Sequence, residues 1–283
     1  TFIATAWGAT LCGAKPVFVD CHPLSYNIDP SKVEAAITKK TKAIVAVHLY
    51  GQASDMDALD VIANKHNLIL VEDAAQAHLA EYKSKRIGGL SKATSFSFYP
   101  GKNLGAYGEA GAVVTNAEQL AKLVTQLREH GQSEKYYHEN FGHNYRMEGI
   151  QGAVLGVKLK HLESWTEGRR RVAAKYEALL GNLEHISLPE ELPNHKHVYH
   201  LYVIRVNGKN LEAREETRNK LQSFLTENEI ASGLHYPVPL HLQKCFTHLG
   251  YTKGDFPITE DLAQTGLSLP MFPELKDEQI EYV

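Results

Sequence analysis

Cysteine is scarce: Cys12, Cys21 and Cys245 are the only three in 283 residues, and no CxxC pair occurs. An odd, scattered set argues against a disulfide framework or a structural zinc site and fits a reducing compartment, the cytoplasm. Positive charge is not in excess: 30 Lys and Arg against 33 Asp and Glu leave a net charge of −3. That balance offers nothing to hold a nucleic-acid backbone or an acidic membrane surface. Apolar runs are short. The greasiest, Lys42–Leu49 and Leu68–Val71, are strand-sized, well below the roughly 18–20 residues that cross a bilayer. Thr1–Val19 lacks the basic start and apolar block of a secretory leader, and no initiator Met opens the chain. Internal repeats and low-complexity segments are missing too. Gly8–Gly13 does not spell GxGxxG, and Gly101-Lys102-Asn103 lacks the hydroxyl and the upstream glycine of a P-loop.

What is present is an ordinary folding composition, 43% hydrophobic and 22% charged, which excludes a disordered chain, a collagen-like fibre and a coiled coil. The length suits one large domain or two unequal ones. Short apolar runs alternate with amphipathic stretches. Pro16–Val19 predicts a strand ending at Asp20. Asp29-Pro30-Ser31 starts a helix, with Asp as cap and Pro in the first turn. Strands follow at Lys42–Val47 and Leu68–Val71, the second apolar throughout, as when helices cover both faces. Between them Asp55 to about His66 is helical, with Met56, Leu59, Ile62 and Ala63 on one face. This order implies a mostly parallel sheet with right-handed crossovers. Further strands are expected at Ala93–Phe98 and Ala112–Thr115, and helices at Glu118–Glu129 and from about Gly149 to Leu180. Beyond His185 the pattern becomes α+β: a strand at His200–Val206, a helix at Arg214–Glu229, a short strand at Ala231–His235 and a helix opening at Asp277.

In an open α/β sheet, ligands bind beyond the carboxyl ends of the strands. Three segments carry unusual residues there. In Leu68-Ile-Leu-Val-Glu-Asp73-Ala-Ala-Gln76, a carboxylate leaves a buried strand. Taken alone, Glu72 or Asp73 serves equally well as a helix cap; if a helix starts here, Gln76 stands one turn on and both side chains reach one ligand. In Ser95-Phe-Ser97-Phe-Tyr99-Pro-Gly-Lys102-Asn-Leu-Gly105, a lysine sits between a strand and a glycine-rich turn. Near a low-dielectric pocket its amine loses charge readily and becomes a Schiff-base nucleophile; a lone lysine in a turn is otherwise a solvated surface residue. His235-Tyr236-Pro237 offers two hydrogen-bonding side chains at a domain cleft, or merely a strand end before a Pro-rich loop. His195, His197 and His200 cluster, but in an extended segment only the first two share a face, so no metal site is assigned.

Together these segments resemble the sugar-aminotransferase branch of the fold-type-I, pyridoxal-phosphate (PLP)-dependent enzymes, the DegT/DnrJ/EryC1/StrS family. The matching stretches are Thr1-Phe-Ile-Ala-Thr5, Gly13-Ala-Lys-Pro-Val-Phe-Val-Asp20, His48-Leu-Tyr-Gly51, Glu72-Asp-Ala-Ala-Gln-Ala-His78, Ser97-Phe-Tyr-Pro-Gly-Lys-Asn-Leu-Gly105, Asn144-Tyr-Arg-Met147 with Gln151, and His235-Tyr-Pro-Val-Pro-Leu-His-Leu-Gln243. They occur in family order and cover nearly the whole chain. The resemblance implies an α/β, aspartate-aminotransferase-like large domain with a mostly parallel sheet between helices, and a smaller α+β C-terminal domain. Residues 1–160 would form the first, and residues 161–283 the connecting helix and the second.

The same resemblance implies roles. Lys102 carries PLP through a Schiff base and shuttles the proton; Asp73 keeps the pyridine nitrogen protonated; Gln76 bonds the ring hydroxyl. Ser97 binds the phosphate, Phe2 stacks on the ring, and Asn144 reaches the phosphate of the neighbouring subunit in a homodimer. Tyr99, His235 and Tyr236 touch the nucleotide sugar. The implied reaction is amination of a nucleotide-linked keto-sugar by L-glutamate, with C3 of a dTDP-linked 3-keto-6-deoxyhexose closest in motif. A C4 aminotransferase and a non-catalytic cofactor- or sugar-binding regulator are the alternatives. Dehydratases of the family carry His where Lys102 stands, which argues against that branch. Leu79 and Ser84 occupy positions where the family usually has Gly. The family also carries a segment before the position of Thr1, with a Gly-Thr pair at a helix N-terminus that binds phosphate, so the chain is expected to be an incomplete form of its parent.

Overall fold

A computed structural model describes residues 2–283; Thr1, the first residue of the first matching stretch, lies outside the described residues. The large unit runs through α1 (Ile3–Thr10), α2 (Pro30–Ala36), β1 (Ala43–Val47), α3 (Met56–Lys65) and β2 (Ile69–Asp73). It continues with the short strands β3 (Glu81–Tyr82) and β4 (Lys85–Arg86), then β5 (Ala93–Ser97), β6 (Gly111–Val114) and α4 (Glu118–Arg128). A hairpin of β7 (Gln132–Glu134) and β8 (Tyr137–His138) leads to α5 (Gly149–Lys158) and α6 (Leu162–Leu180). The remainder comprises β9 (Ile186–Ser187), β10 (His195–Lys196), β11 (Tyr202–Val206), α7 (Leu211–Glu227), α8 (Pro257–Thr265), β12 (Gly266–Leu269) and α9 (Asp277–Tyr282).

The helix starts follow the capping residues. The Asp29 side chain accepts from Ser31 N at the start of α2, with Pro30 in the first turn, and Asp55 accepts from Ala58 N at the start of α3. The main sheet has the order β1-β2-β5-β6, with β1, β2 and β5 parallel and β6 antiparallel. On one face Val33 of α2 and Met56, Leu59 and Ala63 of α3 pack on Ile44, Ala46 and Leu70. The second face is more open than the apolar run Leu68–Val71 predicts, with Ile69 52% and Val45 39% exposed. Those side chains alternate away from α2 and α3, so the two helices cannot reach them.

Pro16–Val19 is not a strand. It has no regular secondary structure and, with β1, lines an apolar cavity of about 850 Å³ whose walls include Phe18, Val19, Ile44 and Val45. Among the described residues it joins no ladder; the nearby Cys21 bridges Ile28. The predicted strand at Ala231–His235 shrinks to one bridge, Gly233 with Ser268. Pro237 and Pro239 follow, and neither has an N–H to extend a ladder. The long helical region also divides, at a single tight turn over Leu159–His161.

The C-terminal sheet is antiparallel, ordered β12-β11-β9. It packs Tyr202, Ile204, Leu267 and Leu269 against Val172 and Tyr176 of α6, Leu225 of α7 and Ile280 of α9. Leu79 and Ser84 adopt φ of 67° and 61°, the left-handed region that glycine tolerates best. No described helix is long and apolar enough to cross a membrane.

Candidate active site

Parallel pairing sets the edge of the site. Asp73, the last residue of β2, pairs with Val47 of β1 and with Ser95 of β5, two residues before Ser97. The carboxyl ends of three strands therefore finish side by side. The pleat sends Glu72 and Asp73 to opposite faces. Glu72 is fully buried and accepts from Ser91 Oγ at 2.8 Å and Thr94 Oγ1 at 2.8 Å. His48 Nε2 donates to it at 3.0 Å, because Ser54 N already donates to His48 Nδ1. Burial acts to raise its pKa, but those hydrogen bonds outweigh it and hold Glu72 below the usual carboxylate range. Asp73 faces the site. Its Oδ1 accepts from Ala75 N at 3.0 Å and its Oδ2 from Thr5 Oγ1 at 2.6 Å. No helix follows it; residues 74–79 form turns. Neither carboxylate is a helix cap, and Gln76 is placed by the turn.

Lys102 lies in the turn after β5. Its N–H donates to Tyr99 O at 2.8 Å, and Ala106 N donates to Phe98 O at 2.7 Å. Gly105 is required there: a Cβ would stand 2.3 Å from Pro100 O. Burial lowers the Lys102 pKa from its ordinary value, while the Asp73 charge acts in the opposite direction. Amine and carboxylate thus sense each other at one sheet edge. Ser97 Oγ accepts from Tyr99 N at 3.3 Å, and Tyr99 is half-exposed.

From the C-terminal unit, His235 and Tyr236 close over this edge. Gln76 is buried; its Oε1 accepts from Tyr50 N at 2.7 Å and its Nε2 donates to Tyr236 Oη at 3.1 Å. One hydrogen on Gln76 Nε2 is left for a ligand. Tyr50 Oη donates to His235 O, and His235 Nδ1 pairs with Ser268 Oγ at 2.8 Å. Burial, then the nearby Lys102 charge, lowers the His235 pKa. The half-exposed Phe2 ring lies 5.4 Å from that of Tyr236.

The sequence matches the DegT/DnrJ/EryC1/StrS aminotransferase family over residues 1–283. The chain belongs to that family. It is a family of PLP-dependent sugar aminotransferases, and the chain has their fold-type-I architecture. It is 50% identical over 287 residues to a Geobacillus stearothermophilus "pleiotropic regulatory protein", covering 100% of this chain and 74% of that one. It is 43% identical over 279 residues to the dTDP-3-amino-3,4,6-trideoxy-alpha-D-glucose transaminase of Streptomyces venezuelae, covering 99% and 71%. A third relative, from Acidithiobacillus ferrooxidans, is a UDP-N-acetyl-3-dehydro-alpha-D-glucosamine 3-aminotransferase, 41% identical over 280 residues, covering 99% and 73%. Among solved structures, S. venezuelae DesV in complex with a ketimine intermediate superposes with a TM-score of 0.94 at 42% identity, over 100% of this chain and 74% of that one. The PLP form of Spr1654 from Streptococcus pneumoniae gives 0.91 at 28% identity, over 100% and 76%.

The residues of this DegT-family chain fit PLP. A partly buried amine, a carboxylate anchored by Thr5, a hydroxyl at a strand end and a buried amide converge where the strands finish. Asn144 stands apart. It is exposed, bridges Glu129 at the end of α4, and none of its hydrogen bonds reaches the cluster within its own chain. The histidine cluster also separates: His195 Nδ1 bonds Pro193 O, His197 Nδ1 accepts from Tyr199 N, and His200 Nδ1 bonds Asn103 Oδ1. Among the described residues no metal-ligating group forms.

Thr5, Tyr50, Asn103 and His200 were not singled out from the sequence as site residues. Thr5 lies within the first matching stretch. Tyr50 lies in another and adopts φ of 59°, which aims its N–H at Gln76.

Proposed function

We propose that the chain transfers the amino group of L-glutamate to a nucleotide-linked 3-keto sugar of the dTDP-3-keto-6-deoxyhexose type. The observation that carries this reading is the gathering at one sheet edge of Asp73 at the end of β2, the Lys102 turn after the neighbouring β5, and Gln76 bonded to Tyr236. PLP, when bound, supplies an electron sink for the electrons released at the reacting carbon. Lys102 Nζ holds the cofactor and moves the proton at that carbon; its lowered pKa leaves more free amine near neutrality than an exposed lysine has. Asp73, oriented by Thr5 and Ala75, keeps the pyridine nitrogen protonated. Gln76 spends its remaining hydrogen on the ring hydroxyl, Ser97 receives the phosphate and Phe2 covers the ring.

Tyr99, His235 and Tyr236 would contact the sugar nucleotide. Asn144 would serve the partner subunit of a homodimer, since its own chain gives it no role in the cluster. Residues 1–160 act as the cofactor unit and residues 161–283 as the substrate-closing unit, in the cytoplasm. The FYPGKNLGA and HYPVPLHLQ segments resemble those of enzymes that aminate C3 of dTDP-linked 3-keto-6-deoxyhexoses; C4 amination is the alternative. A purely regulatory role leaves the arrangement of Lys102, Asp73 and Gln76 without a purpose. The test is amine formation with PLP and L-glutamate against a panel of dTDP- and UDP-keto-sugars. Turnover confined to the dTDP-3-keto sugars supports the proposal; turnover only of UDP-linked or 4-keto sugars, or of none, overturns it.

A further inference from the structure

We propose that Asn103 and His200 form a positioning pair for Lys102, through which the Val198–His200 segment fixes where the amine stands. This rests on the reading that Lys102 holds the cofactor. Asn103 directly follows Lys102, yet it is 7% exposed in a turn where a solvated side chain would suffice. Both ends of its amide are used. Nδ2 donates to Val198 O at 3.2 Å, and Oδ1 meets His200 Nδ1 at 3.1 Å. An amide oxygen only accepts, so the His200 proton is on Nδ1. Burial, then the charges of Lys102 and Arg169, hold the His200 pKa well below its ordinary value, so the ring stays neutral and keeps that donor.

The segment is itself tied down. Val198 N donates to Gly51 O at 3.0 Å and His200 N to Tyr50 O at 2.9 Å. Arg169 of α6 donates to Tyr199 O at 3.0 Å, His200 O at 3.2 Å and Met271 O at 2.9 Å. Gly51 is pressed against it, since a Cβ there would come 2.8 Å from Val198 Cγ2. Tyr50 in turn donates its own N–H to Gln76. One fixed segment thus serves Gln76 through Tyr50 and the Lys102 turn through Asn103. A buried amide needs both polar ends matched, and here both partners lie on the one segment that also holds Tyr50. The groups that share the field of Lys102 are Asp73, His78, His200 and His235. Because His200 is neutral, its effect on the amine is exerted through position and dryness.

The test compares His200→Phe, which removes the donor, with His200→Asn, whose Nδ2 can take the place of Nδ1. Asn103→Ser provides a second lesion if the Phe variant does not fold. In cofactor-free protein, the pH dependence of Lys102 acetylation by acetic anhydride is followed by peptide mass spectrometry. The unmutated protein reacts with a midpoint below that of an ordinary lysine. In His200→Phe or Asn103→Ser the turn loosens and water reaches the amine, so the midpoint rises by about 0.5–1 pH unit. With PLP and substrates, kcat falls ~10–100-fold while KM for glutamate changes less than ~3-fold. His200→Asn stays close to the unmutated protein in both readouts. Folded His200→Phe and Asn103→Ser proteins with an unshifted midpoint and unchanged kcat overturn the proposal. If the unmutated protein takes up no PLP, the transaminase reading fails instead, while the acetylation midpoints still decide the positioning role.

Discussion

Gln76 and Tyr236, 160 residues apart, meet in a 3.1 Å hydrogen bond from the Gln76 amide to the Tyr236 hydroxyl. Through this bond the turn that follows β2 meets the segment that leaves the C-terminal sheet. Tyr236→Phe keeps the ring against Phe2 and removes the bond. A hydrogen bond of this kind contributes about 0.5–1.5 kcal/mol, so sugar-nucleotide KM is expected to rise roughly 2–12-fold. Steady-state kinetics on the preferred keto-sugar check this. An unchanged KM would show that the bond does not shape the substrate site.

Asp73→Asn removes the charge assigned to the pyridine nitrogen; its one amide oxygen can still accept from Ala75 N, and its NH2 can donate to the Thr5 hydroxyl. The expected loss in kcat is at least ~100-fold, because preorganised charge stabilisation of this type is typically worth about 2.7–4 kcal/mol. Cofactor content, read from absorbance after denaturation, should remain measurable. Near-full activity in the variant would refute the electrostatic role.

Glu72, its neighbour on the opposite face, governs stability. Its folded-state pKa lies below the ordinary value. Its contribution is therefore fully present above the carboxylate pKa of the unfolded chain, and it disappears as pH falls through the lower folded value. Glu72→Gln should cost about 1–3 kcal/mol at pH 7. The gap from the unmutated protein should narrow below about pH 4. Urea unfolding at both pH values measures it. A gap that is constant with pH would place the effect in packing.

Much of this site could be read from the sequence because it is local. Asp73 ends an apolar strand and Lys102 lies in a glycine-containing turn, and each is identifiable from its immediate neighbours. The capped helices α2 and α3 are local in the same way. Contacts between distant segments were not legible. The strand expected at Pro16–Val19 needed a neighbouring backbone that the fold does not bring alongside it. Thr5 reaches Asp73 across 68 residues, and His200 reaches Asn103 across 97. A histidine in an extended run gives no sign of its partner until the chain is folded. Gln76 was expected one helical turn after Asp73; a turn, not a helix, sets its position.

Asn144 provides a test of assembly. Lys102→Ala and Asn144→Ala, each with little or no activity alone, are mixed under conditions where subunits exchange. Shared sites put both lesions in one site of the mixed dimer and none in the other, so activity should return to about a quarter of the unmutated level from statistical pairing. Exchange without recovered activity would confine Asn144 to its own chain.

The most direct measurement is borohydride reduction of the PLP-loaded protein followed by peptide mapping. The account predicts a phosphopyridoxyl group on the peptide containing Lys102, and none on that peptide in Lys102→Ala. A label on Lys92 or another lysine, or an unlabelled protein that still aminates a keto-sugar, would contradict it.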